Sequence, residues 1–266
     1  METKKLLPIT QVVALNIVAA LVTIALQRAL EDHIQRVEIE AWGMFFAVLG
    51  VIYAIIVGFL LAELLSRFHR LRTHIRDELN AVEEIRDYLI YVDENGETKR
   101  RIVSSLHQYV RSIVDREWPM MLEGSEIDSD TSPEQYQLME AVEGLRIHDQ
   151  SDVIALDAII RHIGDVTNYR TERLEMSRQH LSPALRFLVV FMSVVVILGF
   201  ALMRVESAII HGFIVSAVVT AIFVLWLVVK DLDNPYKGMW NITDEPFRRV
   251  DERLEQALAE GQASGS

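Results

Sequence analysis

Apolar residues along this chain are gathered into four runs, and nearly all of the charge lies between or after them. The first run covers residues 12–26 and extends back to Leu6; it holds Asn16 and is edged by Gln11 and Gln27, which makes it the weakest. The second, residues 41–62, contains no charge. At 1.5 Å per residue such a run covers roughly 30 Å, about one hydrocarbon core of a bilayer. The third and fourth, residues 187–203 and 208–229, are separated only by Arg204, Val205, Glu206 and Ser207, which predicts a helical hairpin with a very short turn. Backbone groups in lipid have to bond within their own segment, so each run is predicted to be a helix.

The long stretch between the second and third runs has helical periodicity instead. Leu64, Phe68, Leu71, Ile75, Leu79, Val82, Ile85 and Leu89 recur every three or four residues. No breaker separates them from the second run, so one helix is predicted to leave the membrane and continue for several turns. Asp93, Glu94, Asn95 and Gly96 read as a turn. A further helix is predicted over residues 98–115, with Ile102, Leu106, Tyr109, Val110 and Ile113 on one face. A loop follows over residues 123–130, then a third, long helix over residues 133–179, before Ser182 and Pro183 break the chain. No internal repeat and no strand pattern is present in the sequence.

The charges next to the apolar runs set the orientation. Lys4 and Lys5 precede the first run, Arg67, Arg70, Arg72 and Arg76 follow the second, Arg170, Arg173, Arg178 and Arg186 precede the third, and Lys230, Lys237, Arg248 and Arg249 follow the fourth. Both short connections are poor in Lys and Arg. The expectation is therefore an all-α integral membrane protein of about four transmembrane helices, with a large helical cytosolic insertion between spans 2 and 3. Residues 1–65 form the first transmembrane pair and 66–182 the cytosolic helical section. Residues 183–230 form the second transmembrane hairpin, and 231–266 a cytosolic segment ending in a disordered tail. The N-terminal lysines and apolar stretch look like a secretory signal, but no small-residue cleavage pattern follows, so retention as a membrane helix is expected. A multi-pass protein of the inner (plasma) membrane with both termini in the cytosol results.

Composition agrees with segregation of this kind. Of 266 residues 51% are hydrophobic while 24% are charged, and the mean hydropathy is +0.21. The formal charge of -12 argues against nucleic acid as a partner, because phosphate binding needs a basic face. With no cysteine, disulfides, thiol catalysis and cysteine-based metal centres are excluded. Phosphate-binding glycine loops, nucleophile elbows and HExxH are absent from the sequence. His74 with Glu78 and Asp157 with Arg161 are one turn apart and read as solvated helix faces laced with charge. His148, Asp149 and Asp152 have metal-ligand chemistry, but nothing in their spacing enforces a coordination geometry. His211 reads as an interfacial residue beside the short outer loop. Nothing here argues for an enzyme, a cofactor or a metal.

The second run carries the most pointed pattern. Val51, Ile55 and Phe59 repeat at a four-residue spacing, and Glu63 and Arg67 continue the same face. Such a face is either lipid- or core-facing surface, or the lining of a pore with an apolar constriction above a charged mouth. Gly50 and Gly58 permit close helix approach. Periodicity alone does not separate these readings.

Four pieces of sequence resemble the bestrophin-like domain family of bacteria and plants. They are residues 57–67 running into Asp77, Glu78 and Ala81; Tyr109 to Glu117, Trp118 and Pro119; Arg170, Arg173 and Leu174; and Asp233, Asn234, Pro235, Tyr236 and Gly238, followed by Pro246 and Phe247. The link to true bestrophins is more distant. Gly58 with Phe59, Arg67 with Phe68, and Asn234-Pro235-Tyr236-Lys237-Gly238 are similar to a Gly-Phe, an Arg-aromatic and an Asn-Pro-Phe-Gly found there, with one inserted lysine. The resemblance implies a pentameric ion channel whose second span forms a narrow apolar neck, at Val51, Ile55 and Phe59 in this chain. A calcium clasp is not implied: the acidic run it needs after Asn-Pro is replaced by Met239, Trp240, Asn241, Ile242 and Thr243, with only Asp244 and Glu245 beyond.

The function expected from all of this is a homo-oligomeric, bestrophin-like ion channel in a lipid bilayer, passing small inorganic ions. Glu63, close to the neck, leans the selectivity towards cations, and Arg67 one turn on opposes it. The alternative is a non-conducting membrane scaffold or sensor whose cytosolic helices bind a partner protein.

Overall fold

One helix dominates the fold. Helix α1 (Ile39–Tyr88) is 50 residues long and passes without interruption from the uncharged run into the amphipathic stretch beyond Glu63. A 3-10 turn, Leu89–Tyr91, ends it. Helices α2 (Gly96–Ser112), α3 (Trp118–Glu123), α4 (Pro133–Glu143), α5 (Gln150–Arg178), α6 (Pro183–Leu202), α7 (Ala208–Asp233) and α8 (Glu245–Ala263) follow. The structure is a computed structural model, and it describes residues 14, 16–18, 21–25, 39–92, 96–125, 127–128, 130–203, 207–238 and 240–263. Among these, α1, α6 and α7 are long and apolar enough to cross a membrane. Part of the predicted first span lies outside the described residues; those described within it, 14, 16–18 and 21–25, are helical.

The chain divides into two compact units, residues 1–65 with 181–233, and residues 66–180 with 234–266. The first is built on apolar helices whose contacts need small residues and a few internal hydrogen bonds. A Cβ placed on Gly199 of α6 would lie 1.8 Å from the Phe46 ring of α1, so only glycine lets these helices meet as they do. The Tyr53 and Ser193 hydroxyls are 3.0 Å apart, and Thr220 donates to Asn16 Oδ1 at 2.8 Å. His211, which the sequence places beside the short connection, packs inside the unit. It is buried, and its Nε2 lies 2.9 Å from the Phe200 carbonyl oxygen, which makes Nε2 the donor. Helix α7 brings the imidazole to a carbonyl in the last turn of α6 that also accepts from the Met203 N–H at 3.3 Å.

The second unit has a continuous core that includes Leu71, Ile75, Val82 and Ile85 of α1, Ile102, Leu106 and Tyr109 of α2, Leu138 of α4, Ile159 and Leu174 of α5, and Phe247 and Leu254 of α8. Two elements differ from their predicted form. The helix expected over residues 98–115 stops being α-helical at Ser112 and continues through a π-helical turn, Ile113–Glu117, into α3. Its buried positions explain this, for Tyr109, Ile113, Glu117 and Met121, and also Leu106, Val110, Val114 and Trp118, all point inward. A four-residue repeat drifts around an α-helix of 3.6 residues per turn, and the wider π turn holds it on one side. Pro119 sits in the first turn of α3, directly after the π turn.

The single helix expected over residues 133–179 is two, broken at Gly144 and restarted at Asp149. Asp149 caps α5 by accepting from the backbone N–H of Ser151 and Asp152, while the Asp152 carboxylate accepts from His148 and Asp149. This reciprocal box satisfies the free donors of a helix start. It accounts for Asp149 and Asp152, two of the three residues whose chemistry had suggested a metal.

Candidate functional site

The face proposed for a pore is borne by the apolar half of α1. Val51, Ile55 and Phe59 are 59%, 52% and 75% exposed on the single chain, although each is large and apolar. Val57, Leu60 and Leu64, on the other side of the same helix, are buried. The helix is therefore packed on one side and leaves the residues at four-residue spacing uncovered. Glu63 is exposed and Arg67 half-buried one turn further on.

Within the second unit the family-like pieces converge on a cluster of charge with almost no access to solvent. Glu78 of α1 and Arg173 of α5 are 0% exposed. Arg173 donates from Nε to Glu78 Oε2 at 2.8 Å and from Nη2 to Glu78 Oε1 at 3.2 Å. The same Nη2 donates to Glu117 Oε2 at 2.7 Å. Arg170, one turn before, donates from Nε to the other Glu117 oxygen at 2.8 Å and from Nη1 to the Asp130 carbonyl at 2.9 Å. The Tyr109 hydroxyl donates to Glu78 Oε1 at 2.6 Å, and the Arg173 guanidinium lies 5.4 Å from the centre of the Phe247 ring. Two carboxylates face two guanidinium groups, so the buried charge cancels, and each carboxylate oxygen accepts at least one hydrogen bond.

The electrostatics follow from this arrangement. Burial alone would raise the Glu117 carboxyl, but the positive charges of Arg173 and Arg170 and their hydrogen bonds outweigh it, and the group is held below its usual range. Burial, with the neighbouring Glu78 charge, pushes the Tyr109 phenol well up. Burial does the same to Tyr236. Burial opposes the charge on Arg173, but Glu78 and Glu117 more than restore it. With both acids locked to guanidinium groups, the cluster is suited to fixing helices and not to moving protons. Glu78 was expected on a solvated face; it is a core residue, because its carboxylate is matched by a buried cation. Asp157 and Arg161 do form the expected exposed pair, at 3.0 Å.

The C-terminal motif packs within this unit. Gly238 has φ +115°, a backbone that glycine tolerates. The Pro235 carbonyl accepts from Ile242 at 2.8 Å, and Asn234 Oδ1 accepts from the Tyr236 N–H at 3.3 Å. Tyr236 thereby meets Trp118 edge to face, at 5.4 Å between ring centres, and Trp118 also lies 5.8 Å from Phe247. Asp233, the last residue of α7, belongs to the first unit, where it accepts from the Leu181 N–H and from Arg186 Nη2. Among the described residues no group of three or more His, Cys, Asp or Glu side chains is placed to hold a metal.

Sequence reasoning missed that Glu78, Tyr109, Glu117, Arg170 and Arg173 form one site. A signal was present: Leu71, Ile75, Glu78, Val82, Ile85 and Leu89 make an unbroken alternation of four- and three-residue steps, with the carboxylate in the middle of the apolar stripe.

Apolar helices of this length and a helical unit around a buried ionic cluster define an all-helical membrane protein. The chain matches the Bestrophin-like domain family over residues 13–247, and it belongs to that family. Its fold is similar to that of a bacterial bestrophin homolog from Klebsiella pneumoniae. One crystal structure of that homolog, carrying a single substitution, superposes with a TM-score of 0.70 at 16% identity, covering 95% of this chain and 98% of the other. A second, solved by zinc anomalous phasing, gives 0.69 at 17% identity over 96% and 98%. No curated protein sequence matches the chain.

Proposed function

We propose that the protein is a homo-oligomeric ion channel of the bestrophin type, with α1 lining the pore and Val51, Ile55 and Phe59 forming an apolar neck. The observation that carries this is the bare face of α1: large apolar side chains at a fixed spacing, uncovered by their own chain, on a helix long enough to cross the bilayer. Repeated around a symmetry axis, the face makes successive apolar rings, and a narrow dry ring resists ions by stripping part of their hydration. Conductance is then low. Glu63 places negative charge just beyond the neck and favours cations, while the longer Arg67 can turn its charge away from the axis. A pentamer, and a multi-pass arrangement in the inner membrane with both termini and residues 66–182 in the cytosol, complete the proposal.

The test uses purified protein in planar bilayers. Phe59→Ala raises the unitary conductance, and Glu63→Gln shifts the reversal potential away from cation preference. A reversal potential unmoved by Glu63→Gln, together with a Phe59→Ala channel no larger than the parent, removes α1 from the pore and leaves the scaffold reading. The chain has no cysteine, so single cysteines report cleanly. A cysteine at Glu123 or Glu255 resists an impermeant thiol reagent in intact cells while one at Ser207 reacts; native mass spectrometry counts the protomers.

A further inference from the structure

In a chain of formal charge -12, one groove of the second unit is basic. It lies between α1 and α8, encloses about 540 Å³, and is within the size range of small-ligand sites. Arg72 and Arg76 stand on the α1 side and Arg249 and Arg253 on the α8 side, with His69 towards one end and buried Ile75 and Val250 also lining it. The one carboxylate in the lining, Glu83, is engaged with Arg253 at 2.5 Å. Arg76 is held sideways by its neighbour Asp77 at 3.1 Å, and Arg249 has a loose contact with Glu245 at 3.6 Å. Arg72 makes no ion pair with any described residue. Four guanidinium groups on two facing helices, against one carboxylate, are more than the internal pairing of the unit requires.

We propose that this groove binds a phosphate-bearing anion, a diphosphate or phosphate ester, gripped between Arg72 and Arg76 on one wall and Arg249 on the other. The guanidinium fork matches two phosphate oxygens at once, which a lysine-lined groove would not do. The apolar lining at Ile75 and Val250 adds room for an organic group carried by the phosphate. Glu83 keeps Arg253 in place at the far end and sets the limit of the anionic site. A soluble phosphate compound and a phospholipid headgroup carry the same group, and the experiment separates them.

Full-length protein in phosphatidylcholine nanodiscs is titrated with inorganic pyrophosphate by calorimetry. Saturable binding is expected, weakened about tenfold or more by Arg72→Gln and by Arg249→Gln, as the loss of a charge-assisted hydrogen bond implies. Arg111→Gln, which removes an exposed arginine of α2 outside the groove, leaves it unchanged. Glu83→Gln removes the only carboxylate and tightens binding. Both arginines are exposed, and an unchanged melting temperature establishes that the variants are folded. The titration is repeated in nanodiscs containing phosphatidylglycerol. Suppression of pyrophosphate binding there assigns the groove to a lipid headgroup; unaltered binding assigns it to a soluble ligand. Absence of saturable binding in phosphatidylcholine, or binding that Arg72→Gln and Arg249→Gln leave within about twofold, overturns the proposal.

Discussion

The two units solve the same problem, holding long helices together, with opposite materials. In the first, the partly exposed Arg186–Asp233 pair aside, the contacts are apolar and close: glycine at residue 199 against the Phe46 ring, and isolated neutral hydrogen bonds such as Tyr53 with Ser193 and His211 with the Phe200 carbonyl. In the second, Glu78, Glu117, Arg170 and Arg173 put ionic bonds at the centre of the core. The difference follows from what each unit can exploit. Between apolar helices in lipid there is little hydrophobic drive, so fit and a few hydrogen bonds must suffice. The second unit buries a continuous apolar core of its own and can bear the desolvation of four charges, provided every one is paired. The ionic cluster then contributes specificity, because only one docking of α1, the π turn and α5 brings all four charges together.

Breaking the cluster is the largest effect expected. Arg173→Ala leaves Glu78 buried without its cation and Glu117 with half of its partners, and such a change costs about 3–5 kcal/mol. Denaturant unfolding in detergent, with hydrogen exchange followed on peptides from α2 and α5, measures it. Replacing both Glu78 and Arg173 by leucine leaves Glu117 facing Arg170, a balanced pair, and should recover most of the loss. A cost below about 1 kcal/mol for Arg173→Ala would place the cluster at the level of a surface pair and remove the contrast between the units.

These same residues show how far the sequence could be read. The apolar runs and the continuity of α1 follow from patterns that local physics enforces: charge exclusion and helical period. The ionic cluster follows from no local pattern. Glu78 sits two residues from Asn80 and one from Asp77, so by neighbourhood it looks solvated; only its place in the stripe from Leu71 to Leu89 marks it as inward. Its partner Arg173 is far along the chain and, beside an apolar run, reads first as an orientation signal. The break at residues 144–149 was hidden because apolar residues continue through it, although the Asp149 and Asp152 capping box was there in the sequence. Whether the bare face of α1 meets lipid or its own copies is decided by assembly, which one chain's periodicity does not encode.

Overfilling the close contact of the first unit is the next largest effect. Gly199→Ala sets a methyl group 1.8 Å from the Phe46 ring, and the ring or the helix must move. The cost expected is about 1–3 kcal/mol. Phe46→Ala made together with it should reduce the penalty, since the space vacated is the space the methyl needs. Thermal melting of the four members of this double-mutant cycle gives the coupling. Additive effects would mean that the two side chains do not meet. No titratable group is involved in that contact, so the penalty should be independent of pH, unlike those in the cluster.

The cluster, by contrast, has an acid limb. Glu117 is depressed in the folded state, so its contribution is fully present above its ordinary value of 4.5 and is lost as pH falls through the lower folded value. The second unit should hold its stability down to the usual carboxylate range and lose it below. Glu117→Gln should be less stable at neutral pH and show a shallower decline in acid, so the gap between the two proteins narrows as pH drops. Hydrogen exchange of α2 and α5 peptides over a pH series, corrected for intrinsic exchange, reads the gap. A gap constant from neutral pH down through the acid range would show that the Glu117 charge does not contribute.

The smallest effect gives the sharpest comparison, because it lies on the same helix as the largest. Arg161 and Arg173 are both on α5 and both pair with a carboxylate at about hydrogen-bonding distance, Arg161 with Asp157 at 3.0 Å and Arg173 with Glu78 at 2.8 Å. The first pair is more than half exposed on each side and the second is fully buried. Water solvates Arg161 and Asp157 whether or not they meet, and salt screens what attraction is left, so Arg161→Ala should change stability by no more than about 0.5 kcal/mol. The Arg173 substitution leaves its carboxylates buried, Glu117 as well as Glu78. If denaturant midpoints for Arg161→Ala and Arg173→Ala move by similar amounts, burial is not what gives the cluster its weight. If raising the salt concentration erases the Arg161 effect and leaves the Arg173 effect intact, it is.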